Sequence, residues 1–188
     1  MRYLYALVGI FLLLAASATA GSFKAQMDVD TYVDENNANQ SFSDGDLLWA
    51  TSDSGKEKQT YLSFINLFGS QSIFKPEQAK SATLTLDAAK VDKPGKITAY
   101  FLHGATFGTM TWYDKLDYDS SVSDSVNIDK EGSYTIDVTN IVQKAVEVCT
   151  EGCPYSIVLV ADNGASVGFT SSEASDQKKP ILEYTNAD

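Results

Sequence analysis

Aromatic and acidic side chains of the kind that recognise sugars occur in two polar stretches of this 188-residue chain. A flat aromatic ring can stack on the apolar face of a pyranose, while nearby carboxylates and amides bond the sugar hydroxyls. The candidates for such a carbohydrate-binding site are Trp49, Trp112, Tyr113, Asp117 and Tyr118. Packing in a core is the alternative for the two tryptophans, whereas the tyrosines and Asp117 lie in a polar stretch and are expected to be exposed.

Acidic side chains are also grouped around the polar stretch from residue 34 to residue 46. The group consists of Asp28, Asp30, Asp34, Asp44 and Asp46, and asparagines lie beside it. Calcium takes six to eight hard oxygen ligands in flexible geometry, so the group is a candidate calcium site. It lacks the spacing of an EF-hand, and a solvated acidic surface is the alternative. Asn39 begins an Asn-Gln-Ser sequon and is a candidate glycosylation site.

The start of the chain has the features of a secretory signal peptide. Arg2 precedes an apolar run over residues 6–14, and the small residues Ala18 and Ala20 precede Gly21. The run is shorter than the ~20 residues that a membrane-spanning helix needs. We expect residues 1–20 to be removed and residues 21–188 to form a secreted domain that works outside the cell or at its surface. A retained N-terminal anchor is the alternative.

The two cysteines, Cys149 and Cys153, are separated by three residues. In an exported chain with one available pairing, a local disulfide is the expected outcome. A redox Cys-x-x-Cys motif has one residue fewer between its cysteines, and a zinc site needs more ligands than His103, the single histidine, can add.

No motif of a known catalytic site is present in the sequence. The nucleophile-elbow, zinc-helix and phosphate-loop patterns are missing, and His103 is a lone histidine at the end of a predicted strand. A net charge of −11 disfavours nucleic acid and anionic membranes as partners. The sequence therefore predicts a protein that is not an enzyme and needs no cofactor, apart from the calcium considered above. Paired carboxylates for glycoside chemistry stay open, because their separation depends on the fold.

Period-two alternation of apolar residues indicates that β-strands position these groups. The clearest strands cover residues 62–64, 82–88, 97–101, 134–138, 157–161, 167–169 and 181–185. Two turn sequences, Lys93-Pro94-Gly95 and Asp162-Asn163-Gly164, predict hairpins between their flanking strands.

One short helix is expected after the fourth of these strands. Thr139 is its predicted N-cap, and its apolar face consists of Ile141, Val142, Ala145 and Val146. Two long loops are expected, at 34–46 and 113–124. Together these elements predict an all-β, jelly-roll-like β-sandwich with one short helix.

The order of several sequence segments resembles that of a known family. The segments are Asp-Thr-Tyr-Val (30–33), Thr-Tyr-Leu-Ser-Phe (60–64), Ser-Ala-Thr-Leu-Thr-Leu (81–86), Thr-Trp (111–112), Tyr-Thr-Ile-Asp-Val-Thr-Asn-Ile-Val (134–142), Phe-Thr-Ser-Ser-Glu (169–173) and Pro-Ile-Leu-Glu-Tyr (180–184). They are similar to those of the DNRLRE domain, also classed as carbohydrate-binding module family 96 and related to disaggregatase repeats. The resemblance spans nearly all of residues 21–188 and implies an extracellular β-sandwich that binds polysaccharide or decorates cell-surface proteins.

Two main hypotheses of function follow from these observations. In the first, the protein is a non-catalytic β-sandwich that binds a cell-surface or matrix polysaccharide. In the second, it is a structural subunit that assembles into an extracellular sheath, filament or surface coat by pairing of sheet edges or exchange of an N-terminal strand over residues 23–33. A polysaccharide lyase or hydrolase is a third, weaker alternative.

Overall fold

The computed structural model describes residues 21–149, 152–175 and 178–186. Within these ranges the chain forms β1 Ser22–Lys24, β2 Gln26–Asp34, β3 Leu47–Thr51, β4 Lys58–Ile65, β5 Ala79–Lys93, β6 Gly95–His103, β7 Asp119–Ile128, β8 Gly132–Asp137, α1 Thr139–Val148, β9 Pro154–Ala161, β10 Ser166–Thr170 and β11 Ile181–Asn186. The predicted signal peptide lies outside the described residues. No helix within the described ranges has the length and apolar character needed to cross a membrane.

The strands form an antiparallel sheet that curls into two layers. In the first layer, β5 pairs with β8 on one edge, and on the other edge it pairs with β11 and then β10, which lead to β1 and β3. The second layer has the order β2-β4-β9-β6-β7. A single register pair between Thr51 and Lys58 joins the layers through β3 and β4. The all-β sandwich with one short helix is therefore confirmed.

Both predicted hairpins are wrong, although their turn residues do reverse the chain. β5 and β10 belong to the first layer, whereas β6 and β9 belong to the second, so each turn carries the chain from one layer to the other. The two crossovers pack closely against each other. A Cβ added to Gly95 would lie only 2.7 Å from the Cβ of Ala165. The strands on either side bury apolar faces in a shared core, and this burial outweighs local pairing.

The hydrophobic core lies between the two layers. Alternate residues of each strand fill it, including Leu62 and Phe64 of β4, Leu84 and Leu86 of β5, and Ile157 of β9, and all are fully buried. Helix α1 adds the predicted face of Ile141, Val142, Ala145 and Val146, which is also buried.

The start of α1 differs from the prediction. Val138 is the N-cap, and no side chain caps the helix there. Thr139 is the first helical residue. Its amide and hydroxyl donate to the carboxylate of Asp137 at 2.9 and 2.6 Å, and its hydroxyl oxygen accepts from the Ala82 amide at 2.9 Å. These bonds tie the helix to β8 and β5.

Of the two predicted loops, the first is present and the second is shorter than expected. The stretch from Asp34 to Asp46 does connect β2 to β3 and contains one short 3-10 turn at Glu35–Asn37. The second predicted loop, 113–124, is wrong from residue 119 onward, where β7 begins. β7 is an edge strand with mostly solvent-facing residues, so its serines and aspartates need no apolar alternation to form a strand.

Candidate functional site

The connection between β6 and β7, residues 104–118, lies across the outer face of the second layer, and we call it the covering segment. Met110 is its anchor and is fully buried. Trp112, Leu116 and Tyr118 are half-buried and pack with Met110 into a second cluster, which includes Val33, Tyr61, Leu102 and Val158 of the strands below.

The pairing register explains why this outer face needs a cover. One row across the layer contains Thr31, Tyr61, Val158 and Tyr100, which are directly opposite one another on neighbouring strands. Because side chains alternate along a strand, this row points away from the core that Leu62 and Ile157 fill. Its apolar area would face water without the covering segment.

A buried hydroxyl fixes the covering segment to the sheet. The hydroxyl of Tyr61 lies 3.1 Å from the carbonyl oxygen of Leu116 and 3.1 Å from Oε1 of Gln59. Burial raises the pKa of Tyr61 far above its usual value, with smaller contributions from Tyr118 and Asp117. The group is therefore a neutral hydrogen-bond donor at physiological pH.

Four of the five predicted sugar-binding residues lie on or in the covering segment. Tyr113 is 75% exposed, and Asp117 is exposed, as expected. Trp112 is half-buried, with Nζ of Lys115 4.3 Å from the centroid of its ring. Tyr118 is less exposed than expected, because it stacks on Tyr100 with ring centroids 4.5 Å apart.

A carboxylate holds the turn that carries Trp112 and Tyr113. The hydroxyl of Thr111 donates to Asp114 at 2.7 Å, and the Thr111 amide donates to the same oxygen. These two bonds favour the charged carboxylate and hold the pKa of Asp114 below its usual range.

Sequence reasoning missed two residues that contact this group, Tyr100 and Lys115, and one exposed aromatic residue of the same segment, Phe107. Phe107 is 43% exposed on the covering segment. Burial, followed by the charges of Tyr100 and Glu57, raises the pKa of Tyr118. Tyr100 is 18 positions from Tyr118, and only the pairing of β6 with its neighbours brings the two rings together. Phe107 and Lys115 could have been predicted, because both lie near Trp112 in the same stretch of sequence.

Trp49, the fifth predicted residue, lies elsewhere. It is on β3 and points outward from the first layer, because Leu48 and Ala50 on either side are buried in the core. Its indole ring covers Gly168 of β10, and Nζ of Lys58 and of Lys90 lie 5.5 and 5.2 Å from the ring centroid. The structure therefore divides the predicted carbohydrate-binding residues between two surfaces.

The predicted calcium ligands are also divided. Asp28, Asp30 and Asp44 line one cleft with Glu173, while Asp46 lines a separate cleft. Asp34 lies 3.3 Å from Nζ of Lys58 and accepts the Asn36 amide at the 3-10 turn. Across residues 21–149, 152–175 and 178–186, no three His, Cys, Asp or Glu side chains have an arrangement that could hold a metal ion. The predicted calcium ligands therefore do not form one group, and calcium binding stays a prediction.

The other candidate residues lie at the periphery. Cys149 and Cys153 form the predicted disulfide, with Cα atoms 5.7 Å apart. Asn39 is exposed in the connection from β2 to β3, where a glycan would have room. His103 is exposed at the end of β6.

Comparison with known proteins gives one family. The family model of carbohydrate-binding module family 96 matches residues 22–186. The match therefore runs from β1 to the end of β11 and includes the covering segment and Trp49. A search of curated proteins found no match.

Proposed function

Because the chain belongs to carbohydrate-binding module family 96, a family of non-catalytic modules, we propose that it is secreted and binds an extracellular polysaccharide through the covering segment. The observation that carries this proposal is the exposed ring of Tyr113, held beside Trp112 on a well-anchored segment. The glycan is a cell-surface or matrix polysaccharide.

Each part of the covering segment has a role in this binding. The exposed ring of Tyr113 stacks on the apolar face of a pyranose. Asp117 accepts hydrogen bonds from sugar hydroxyls, and the ammonium group of Lys115 donates to them. These groups lie on the solvent side of the segment, so a long chain can bind without threading into a cavity.

The segment is well suited to binding because little of it has to be ordered when a ligand arrives. Met110 anchors it, Tyr61 bonds its backbone at Leu116, and Asp114 holds the turn that carries Tyr113. A site that is ordered beforehand loses less conformational entropy on association, which favours affinity from a small contact area.

Affinity electrophoresis tests the proposal. Native gels contain a neutral β-glucan, a xylan, a mannan or a polyuronate, and we expect at least one of them to retard residues 21–188. Tyr113→Ala should reduce that retardation without a change in the melting temperature. Phe74→Ala is the matched control, because Phe74 is 60% exposed and lies outside the covering segment. Equal retardation of the native protein and Tyr113→Ala would exclude this site.

A further inference from the structure

We propose that the covering segment encloses a buried water site, in which the hydroxyl groups of Thr31, Ser63 and Thr106 hold one water molecule between the segment and the sheet. Within the described part of the chain, none of these three hydroxyl oxygens has a hydrogen-bond partner. Water binding at this place does not depend on sugar binding, so either can fail without the other.

All three hydroxyl groups are buried. Thr31 and Ser63 are fully buried, and Thr106 is 4% exposed. Burial of a hydroxyl without a partner is unfavourable, because the group gives up its bonds to solvent and gains none in exchange. Most buried polar side-chain atoms in proteins therefore bond to other protein atoms or to an ordered water molecule. Three unpartnered hydroxyls in one region point to a bound polar molecule.

Thr31 and Ser63 lie diagonally across two paired strands. Thr31 of β2 is opposite Tyr61 of β4, and Ser63 is two residues further along β4. Both side chains therefore point to the outer face of the second layer, under the covering segment. Diagonal positions on antiparallel strands lie about 7–8 Å apart. This separation is too long for a direct hydrogen bond between the two hydroxyls, but one water molecule can bridge it.

The covering segment starts above β9, next to Ser63. The hydroxyl of Ser156, on β9, donates to the carbonyl oxygen of Gly104 at 3.0 Å. Ser156 is directly opposite Ser63 in the register of β9 and β4. The first residue of the covering segment is therefore fixed one strand away from Ser63.

Four residues later, the covering segment has reached β2, on the other side of β4. Gly108 lines a cleft with Val29, which is opposite Ser63 in the register of β2 and β4. Neighbouring strands lie about 4.8 Å apart, so four residues are enough for this crossing. Thr106 is the midpoint of the crossing, and its hydroxyl is thus brought over Ser63 and beside Thr31.

Water fits these three groups better than a metal ion does. A buried water molecule typically makes about three hydrogen bonds, and hydroxyl groups can either donate or accept. Calcium takes about six to eight oxygen ligands and is not satisfied by three uncharged hydroxyls. The water joins the first half of the covering segment to the sheet, as the Tyr61 hydroxyl joins the second half at Leu116.

Isosteric substitutions test the site by the sign of their effect on the melting temperature. Thr31→Val and Thr106→Val each replace a hydroxyl with a methyl group of similar size. Each should lower the melting temperature by about 2–4 °C, because the water loses a partner. If the hydroxyls are dry, the methyl group instead removes an unfavourable burial. An unchanged or raised melting temperature would therefore overturn the inference.

Thr60→Val is the matched control for these substitutions. Thr60 is also a fully buried threonine, and its hydroxyl donates to the carbonyl oxygen of Trp49 at 2.9 Å. Its melting temperature shows the loss that follows when a buried threonine gives up a known partner. Thr31→Val and Thr106→Val should match this loss in sign and approximate size.

A double substitution tests whether the hydroxyls share one site. Thr31→Val/Thr106→Val should lose less than the sum of the two single losses, because the first substitution already weakens the binding of the water. Additive losses would mean that the two hydroxyls have separate partners, and the shared site would be wrong.

A crystal structure of residues 21–188 provides the direct observation. We expect density for one water molecule about 2.8 Å from each of the three hydroxyl oxygens. Contacts near about 2.4 Å would identify a cation. A cation, direct bonds among the hydroxyls, or no density between them would each contradict the water site.

Discussion

Trp112 and Tyr113 are neighbours in sequence, but their removal should have different effects. Trp112 packs on the second cluster and is half-buried, so Trp112→Ala should lower the free energy of unfolding by about 2 kcal/mol. Tyr113 is largely exposed, and Tyr113→Ala should change it by less than about 0.5 kcal/mol. Urea denaturation measures both. Equal losses would mean that the turn at Asp114 is not arranged as described.

We expect Asp30 to contribute more to the stability of the fold than its exposed neighbour Asp28. The Asp30 carboxylate is buried and accepts from the amide and the hydroxyl of Ser172, both at 2.7 Å. Asp30→Ala leaves the Ser172 amide without this acceptor, so we expect a loss of about 1–3 kcal/mol in urea denaturation. Asp28→Ala is the control and should lose much less. A small effect of Asp30→Ala would show that water replaces the carboxylate.

The calcium prediction has its own test at the same cleft. A bound cation would relieve repulsion among Asp28, Asp30 and Asp44 and raise the melting temperature. The comparison is between calcium and EDTA for the native protein and for Asp44→Ala. A melting temperature that is the same in calcium and in EDTA would remove calcium from the account.

For single residues, the sequence predicts solvent exposure better than it predicts which side chains contact each other. Tyr113 and Asp117 are exposed, as their polar surroundings indicate. The stacking of Tyr118 on Tyr100 depends on pairing between β6 and β7, which sets Phe101 opposite Asp119, and could not be read from spacing along the chain. The separation of Trp49 from Trp112 likewise depends on which layer each strand joins.

Among the elements, α1 depends on a carboxylate that lies just before it. Asp137 accepts from Thr139, whose hydroxyl and amide hold the pKa of Asp137 below its usual range. A lowered pKa in the folded state stabilises the fold above the unfolded value of about 3.9, and this stabilisation disappears as the pH falls through the folded pKa. Asp137→Ala should therefore destabilise the fold at neutral pH, by less than about 1 kcal/mol because the carboxylate is exposed to solvent.

The pH dependence gives the measurement for this prediction. The free energies of unfolding of the native protein and of Asp137→Ala, measured by urea denaturation, should differ at neutral pH and converge as the pH falls through the folded pKa of Asp137, where the carboxylate becomes protonated. A difference that persists unchanged in acid would mean that Asp137 acts through packing and not through its charge.

Strand positions follow from alternation, but strand partners do not. The Asp162-Asn163-Gly164 turn has positive φ at Asn163 and Gly164, 52° and 81°, as a tight turn requires. β9 and β10 nevertheless lie in different layers, because their apolar faces meet across the core. β7 was missed since its polar residues need no burial, whereas the apolar face of α1 was predicted correctly.

For the whole molecule, we expect a single copy in solution and not an assembly. β2 pairs with β4 from Gln26 to Asp34, and Gly21 bonds the side chain of Asn186 at 2.6 Å, so strand exchange would first break these contacts. The edge strand β7 carries exposed Asp119 and Asp124, whose charges oppose edge-to-edge pairing. Size-exclusion chromatography should show a monomer of residues 21–188. Polymers would instead support the structural-subunit hypothesis.

Isothermal titration with a short oligosaccharide of the retarding polysaccharide measures binding and the number of sites together. The account predicts that the native protein and Phe74→Ala bind the oligosaccharide with equal affinity and that Tyr113→Ala binds it more weakly. If Tyr113→Ala binds as many oligosaccharides as the native protein, with the same affinity, the covering segment does not bind sugar, and the account is contradicted.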